Sequence, residues 1–288
     1  MTKPIIVTDS TADLSAEDRL RYGIRVVPLS VRMDGIEYVD DDSLPTKRFN
    51  ELLQQPETRP FTIPPSPERF RAIYESSCYQ PGGDIISIHL SSKLSNTVRN
   101  ARQAADQMLG RCTVHVVDSG AASVGLGILT KQAAIMAEEG HTAETIVRKL
   151  RGMVNHIYVV FFVESLEFLE RGGRIGKAQA LLGTMLNIKP MLIIEEGEIE
   201  PLEKVRTRAR AVERLADFVA EFGHVESLTI MHHQADSIEI EGLIERIEGA
   251  FDGDVEISVA KYGPVLAAHI GPDALGVVVF EGADDYWG

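Results

Sequence analysis

Short runs of isoleucine and valine, each followed by a stretch with helical spacing, recur through the first half of this chain and leave few folds open. The runs are PIIVT (4–8), IRVVPLSV (24–31), DIISIHL (84–90) and TVHVVD (113–118). Apolar runs of this length, bounded by turn residues, are the signature of buried strands. Between them, 45–54, 67–77 and 97–109 carry apolar residues three and four apart, the spacing of a helix with one buried face. Parallel strands need a crossover of this kind, and the helices then cover both faces of the sheet. The first half therefore reads as βαβ units around a parallel sheet.

The pattern changes after two helical stretches at 126–140 and 142–154. A new strand, IYVVFFV (157–163), precedes IKPMLIIEEGEIEPLEKVR (188–206), which reads as two strands around a Glu-Gly turn. A helix over 208–222, the strand SLTIMHH (227–233), a helix over 236–249, and strands at DVEISVA and LGVVVFE complete an α+β half. The expected class is α/β in two domains: residues 1–160 as a parallel-sheet domain, and 161–288 as an α+β domain with a mixed or antiparallel sheet. No low-complexity linker separates them, and a cleft between domains is a common ligand site.

A net charge of −14 over 288 residues argues against nucleic acid as a partner, because phosphate contact needs a basic surface. The two cysteines, Cys78 and Cys112, match no metal-ligand spacing and are expected as reduced thiols. The N-terminus lacks the basic and long apolar regions of a secretory signal. No apolar run reaches the ~18 residues of a spanning helix. The expected location is the cytoplasm.

Several segments carry polar side chains where ligands of α/β proteins bind. Asp9, Ser10 and Thr11 follow the first strand, where a metal or phosphoryl-transfer site is conceivable, although capping of the next turn is the commoner role. Asp40, Asp41 and Asp42 read as a solvated turn. In RPFTIPPSPERF (59–70), Thr62 sits in a stiff extended loop, and Ser66 followed by Pro67 reads as a helix start. The stretch HLSSKLSNTVRNA (89–101) leads from a strand into a helix, so Ser95, Asn96 and their neighbours ring a helix N-terminus, which favours an anion. His89, on the strand, is expected in the core. Small residues from Ser119 to Gly127 admit close approach of a ligand or of another backbone. Around LERGGRI, the cations Arg171, Arg174 and Lys177 surround a glycine pair, either to meet an anion or partner or to cap a helix. His269 lies in an apolar setting between two Gly-Pro turns, a common place for a structural histidine.

In this order DSTADL (9–14), TIPPSP (62–67), SSKLSNT (91–97), VVDS (116–119), LERGGRI (169–175) and GPVLAAHIGPDALG (263–276) resemble the DegV family. Its members include the fatty-acid-binding components of bacterial fatty acid kinase systems, and the likeness spans essentially the whole chain. The resemblance implies a non-catalytic carrier holding one long-chain fatty acid in a tunnel between its domains. Thr62, Ser95 and His269 would contact the carboxylate, with Asn96 beside them, and Ile63 and Pro64 replace a commoner Ser-Gln pair. The acid is the ligand, with no cofactor and no metal. Leu126, Phe162, Leu166 and Leu186 are apolar residues whose share in the tunnel wall the sequence does not rank. A separate kinase subunit would phosphorylate the bound acid, with Arg171, Arg174 and Lys177 docking it or steering phosphate, and membrane contact would be at most transient.

Burying ~12 to 16 methylenes at about 0.8 kcal/mol each gives a gross gain of order 10 kcal/mol before binding entropy is deducted. The head group then needs compensating donors, and a protonated His269 would add most at low pH. The alternative is a metal-dependent phosphotransferase or hydrolase using Asp9 and the hydroxyl-rich loops. A third reading is an interaction module that holds lipid as filler.

Overall fold

The computed structural model describes residues 3–41, 43–44, 46–55, 57–78, 83–182, 188–251 and 255–282. Asp42 and Leu186 lie outside the described residues. Along the chain run β1 (Ile5–Asp9), α1 (Ala16–Tyr22), β2 (Arg25–Val27), β3 (Ser30–Met33), β4 (Ile36–Val39), α2 (Thr46–Leu53), β5 (Phe61–Ile63), α3 (Pro67–Ser77), β6 (Asp84–His89), α4 (Thr97–Asp106), β7 (Thr113–Asp118), α5 (Val124–Glu138) and α6 (Ala143–Met153). There follow β8 (Ile157–Phe162), α7 (Glu167–Arg171), β9 (Lys189–Glu195), β10 (Glu198–Val205), α8 (Arg208–Ala220), β11 (Ser227–His232), α9 (Ser237–Ala250), β12 (Ile257–Lys261), α10 (Pro264–Ile270) and β13 (Leu275–Phe280).

These elements form two compact units: Met1–Leu44 with Thr62–Asn155, and Pro45–Phe61 with His156–Gly288. Sequence reading placed 45–61 in the first half; the structure places it in the second unit. The reason is local. On α2, Asn50 Oδ1 meets His233 Nε2 at 2.8 Å, and Gln54 donates to Gln234 at 3.2 Å, just beyond β11.

In the first unit β2, β1, β6 and β7 pair in that order, every pair parallel. Alternate residues of these strands face opposite sides. Val7 and Ile85 pack with Phe70 and Tyr74 of α3 and Ala101 and Ala104 of α4. Ile6, Ile86 and Ile88 face the other way and are as fully buried. Leu126, Leu129 and Ala133 of α5 and Ile146 and Leu150 of α6, helices that pack on β1, β6 and β7, are buried too. Both faces are thus covered, as a parallel sheet requires.

The run 24–31, read as one strand, is two. Pro28 has no N–H for a ladder, so the strand breaks there. Beyond it β3 joins a separate small sheet, ordered β4, β3, β5. The β3–β4 hairpin turns at Asp34 and Gly35, both at positive φ (50° and 78°). An Asp-Gly pair is favoured there because the turn demands this conformation at both positions.

The second unit holds a six-stranded sheet ordered β10, β9, β8, β13, β11, β12, antiparallel except for the β11–β12 pair. The expected hairpin turns at Glu196 and Gly197. Leu215 and Val219 of α8 and Leu243 and Ile247 of α9 pack with Val160, Phe162, Val277 and Val279 of the strands. The class is therefore α/β, with a parallel N-terminal sheet and a mixed C-terminal one.

Cys78, which caps α3, and Cys112, which precedes β7, are joined as a disulfide, their Cα atoms 6.1 Å apart. The expectation of two reduced thiols is corrected: α3 and β7 bring both into the same core. Among the described residues no helix is long and apolar enough to cross a membrane.

Candidate functional site

The strand order of the first unit reverses at β1, which lies between β2 and β6, and ligands of open α/β sheets bind beyond the strand carboxyl ends at such a point. Here the loops after β1, β6 and β7 interlock. Leu90 N–H donates to Asp9 Oδ2 at 3.1 Å, Ser91 N–H to the Ala121 carbonyl at 2.8 Å, and Ser92 N–H to Asp118 Oδ1 at 3.1 Å. Ser119 N–H returns to the His89 carbonyl at 3.0 Å. The result is a fixed rim.

Ser95 and Asn96 stand on that rim at the start of α4. Ser95 Oγ accepts from Thr97 N–H at 3.3 Å and pairs with Thr97 Oγ1 at 2.8 Å. Ser95 thereby caps the helix, whereas Asn96, at the N-cap position, is exposed and makes no capping bond. Thr62 lies buried on β5, a short strand rather than a loop. Ser66 caps α3 with Pro67 in its first turn, as expected. Asn100 Nδ2 of α4 donates to the Pro65 carbonyl at 2.8 Å and so ties the segment after Thr62 to the helix that Ser95 opens.

Asp9 has a different role from a metal or phosphoryl group. Its side chain is wholly buried; Oδ1 accepts from Thr11 N–H at 3.1 Å and Thr11 Oγ1 at 2.5 Å, and Oδ2 from Leu90 N–H and His89 Nδ1 at 3.0 Å. Four donors use the acceptor capacity of a carboxylate, leaving no oxygen for a metal. Among the described residues no three His, Cys, Asp or Glu side chains gather as a metal site. Asp40, expected in solvent, instead packs against Ser10. Burial pushes its carboxyl up to about 6, and the Asp9 and Asp41 charges push the same way against the Ser10 hydrogen bond. Within the stretch from Ser119 to Gly127, Gly127 serves packing: a Cβ there would sit 2.5 Å from the Ala12 carbonyl.

In the second unit, α7 ends at Gly172, and Arg174 folds back to donate from Nη1 to the Gly172 carbonyl at 2.6 Å. This is the capping geometry open to LERGGRI, with a cation at the helix C-terminus. Arg171 pairs with Glu167 one turn back. Burial, then the neighbouring Arg59 charge, holds its guanidinium below the usual range. Arg59 thus joins this cationic group, a residue that sequence reading missed although it opens the RPFTIPPSP segment. Lys177 is drawn elsewhere, into an ion pair with Glu200 of β10.

His269, on α10, packs directly against Gly172: a Cβ there would lie 2.8 Å from its Cε1 and closer still to Nδ1. Burial, helped by the Arg174 charge, pushes His269 down to about 3. With no anion beside it, this environment favours the neutral imidazole. Phe162 and Leu166 are buried in this unit and Leu126 in the first; the Arg208 guanidinium carbon lies over the Phe162 ring, 5.0 Å from its centroid.

A family model described as "Uncharacterised protein, DegV family" matches residues 3–282. The chain belongs to the DegV family. A DegV domain-containing protein of Streptomyces coelicolor is 38% identical over 276 residues, 95% of this chain and 97% of the relative. Among solved DegV structures, one from Thermus thermophilus, described by its fatty acid binding, is 35% identical with a TM-score of 0.87, covering 98% of this chain and 100% of its own. DegV of Bacillus subtilis, described as a fatty acid binding protein, is 30% identical with a TM-score of 0.86, covering 97% and 100%.

Proposed function

We propose that this DegV protein binds a long-chain fatty acid and holds its carboxylate at the rim where β1, β6 and β7 end. The observation that carries this reading is the Ser91–Thr97 segment, pinned at the switch point of a parallel sheet and opening a helix. Oriented hydroxyls and the positive end of a helix suit an anion that has lost its water. Solved relatives at 30% and 35% identity, described as fatty acid binding, support the same ligand class.

In this reading Thr62 and Ser95 donate to the carboxylate, with Asn96 beside them, and His269 adds one ring N–H. Each such bond to a charged acceptor contributes roughly 1.5–3 kcal/mol. The protein performs no chemistry of its own. It presents the acid to a separate kinase subunit in the cytoplasm, which forms an acyl phosphate, and Arg171 and Arg174 face phosphate or partner. Lys177, already paired with Glu200, contributes less.

Mass spectrometry of denatured protein purified from a bacterial host tests the reading. The expected result is one co-purifying fatty acid per chain. Protein that repeatedly carries none, and takes up neither palmitate nor oleate, overturns it. Ser95→Ala and His269→Ala are each expected to weaken palmitate binding by about tenfold without unfolding the protein; unchanged isotherms for both would move the head group elsewhere. For the partner role, acyl phosphate should form only when kinase subunit, ATP and loaded protein are combined.

A further inference from the structure

A continuous file of polar groups runs through the first unit's core, and the carboxylate reading does not use it. Tyr74 O–H donates to Ser87 Oγ at 2.8 Å, Ser87 Oγ lies 2.7 Å from His89 Nε2, and His89 Nδ1 lies 3.0 Å from Asp9 Oδ2. All four side chains are fully buried. Phe70 closes the side of the imidazole, edge-on at 4.9 Å between ring centroids.

The donors have one consistent order. Asp9 already accepts two backbone N–H groups and one hydroxyl, so it is an acceptor facing Nδ1, and Nδ1 carries the hydrogen. Ser87 takes the Tyr74 hydrogen, so its own hydrogen is left to point at Nε2, which accepts it. Every hydrogen in the file is used. The spacing of Ser87, His89 and Asp9 matches a hydrolytic triad, yet Ser87 is sealed from solvent and already takes a hydrogen from Tyr74, so nucleophilic attack has no geometry here.

What the file does have is an output. The Oδ2 atom that receives His89 also receives the N–H of Leu90, the residue at which the chain leaves β6 for Ser91–Ser95. Oδ1 holds Thr11 in the loop after β1. One carboxylate thus clamps two rim loops, and its own orientation is held by a histidine whose Nδ1–H points at it. We infer that Asp9 and His89 are positioning residues for the head-group loop, fixing where Ser95 and the start of α4 meet an anionic ligand. This inference rests on the proposed carboxylate site and adds the groups that set its geometry.

Two substitutions at His89 separate positioning from simple packing. Asn places an amide N–H near the Nδ1 position and keeps the bond to Asp9; Gln reaches the Nε2 position and loses it. Palmitate affinity should fall about tenfold or more in His89→Gln and in Asp9→Asn, which replaces one acceptor oxygen with a donor. It should stay within about threefold of the original in His89→Asn and in Tyr74→Phe, although both melt at lower temperature. Amide exchange over residues 90–97, measured on protein without added acid, should speed up in the first pair and not in the second.

Equal losses in His89→Asn and His89→Gln, or unchanged affinity and exchange in His89→Gln, would overturn the inference. If Asp9→Asn does not fold, the His89 pair decides alone. If the unaltered protein takes no palmitate, the fatty-acid reading fails, while the exchange comparison still decides whether Asp9 and His89 position the loop.

Discussion

Asp40 is a carboxyl group buried at a cost, and removing its charge should stabilise the protein in a pH-dependent way. The side chain lies beside Ser10, close to the Asp9 carboxylate, and among the described residues its Oδ2 has no hydrogen-bond partner. Its pKa rises from 3.8 to about 6, first through loss of water and then through the Asp9 and Asp41 charges. A folded-state value above the unfolded one means that the folded protein binds the proton more tightly. The penalty is absent below about pH 3.8, grows as pH rises, and is complete above about pH 6. At about 1.4 kcal/mol for each tenfold change in proton affinity, it reaches roughly 3 kcal/mol, an upper figure for a side chain that keeps some solvent access.

Asp40→Asn keeps the shape and removes the charge. Urea denaturation should show a gain of about 1–3 kcal/mol at pH 8 and under about 1 kcal/mol at pH 4, with an unchanged slope. A gain of the same size at both pH values would point to a packing effect, and a loss at pH 8 would show that the carboxylate has a stabilising partner; either refutes the reasoning.

Gly172→Ala should drive a methyl group into the His269 ring, cost about 1–3 kcal/mol and weaken palmitate binding, read by calorimetry on the same sample. Reducing the Cys78–Cys112 bond, which closes a separation of 34 residues, should cost about 2–4 kcal/mol, and thiol titration of unfolded protein should count two thiols only after reductant. Arg208 holds Glu239 through Nε and Nη2 at 2.6 and 2.7 Å and Glu164 through Nη1 at 2.7 Å, with Lys189 also on Glu164. Because a lysine cannot reproduce that fork, Arg208→Lys should lower stability by about 1–3 kcal/mol in urea denaturation.

The parallel sheet was legible because β1 and β6 are buried on both faces and read as Ile- and Val-rich runs, and β7, partly buried at the sheet edge, keeps enough of the same pattern around His115. The Glu196–Gly197 hairpin was legible from its turn residues, and Asp34–Gly35 carried the same signal unnoticed, between two strands of only four residues each. β5 went unread because three residues beside Pro60 and Pro64 have no periodicity to show. The placement of α2 depends on His233, almost two hundred residues away, and no local pattern encodes such a contact. At the site, hydroxyls at Ser91–Ser95 and cations around Gly172 announced themselves by residue type. Local reading gave no sign that Asp40 would be buried, that Arg59 would join the cations, or that His269 would be desolvated, since each of these depends on what packs against it.

The pairing of Asn50 with His233 spans 183 positions. At about 5–20 residues per second, roughly 10–40 s separate the emergence of α2 from that of its partner strand. During that interval Phe49, Leu52 and Leu53, all buried in the finished protein, are side chains of a helix still waiting for its sheet. The nascent chain thus carries three apolar side chains on a segment made early and housed late.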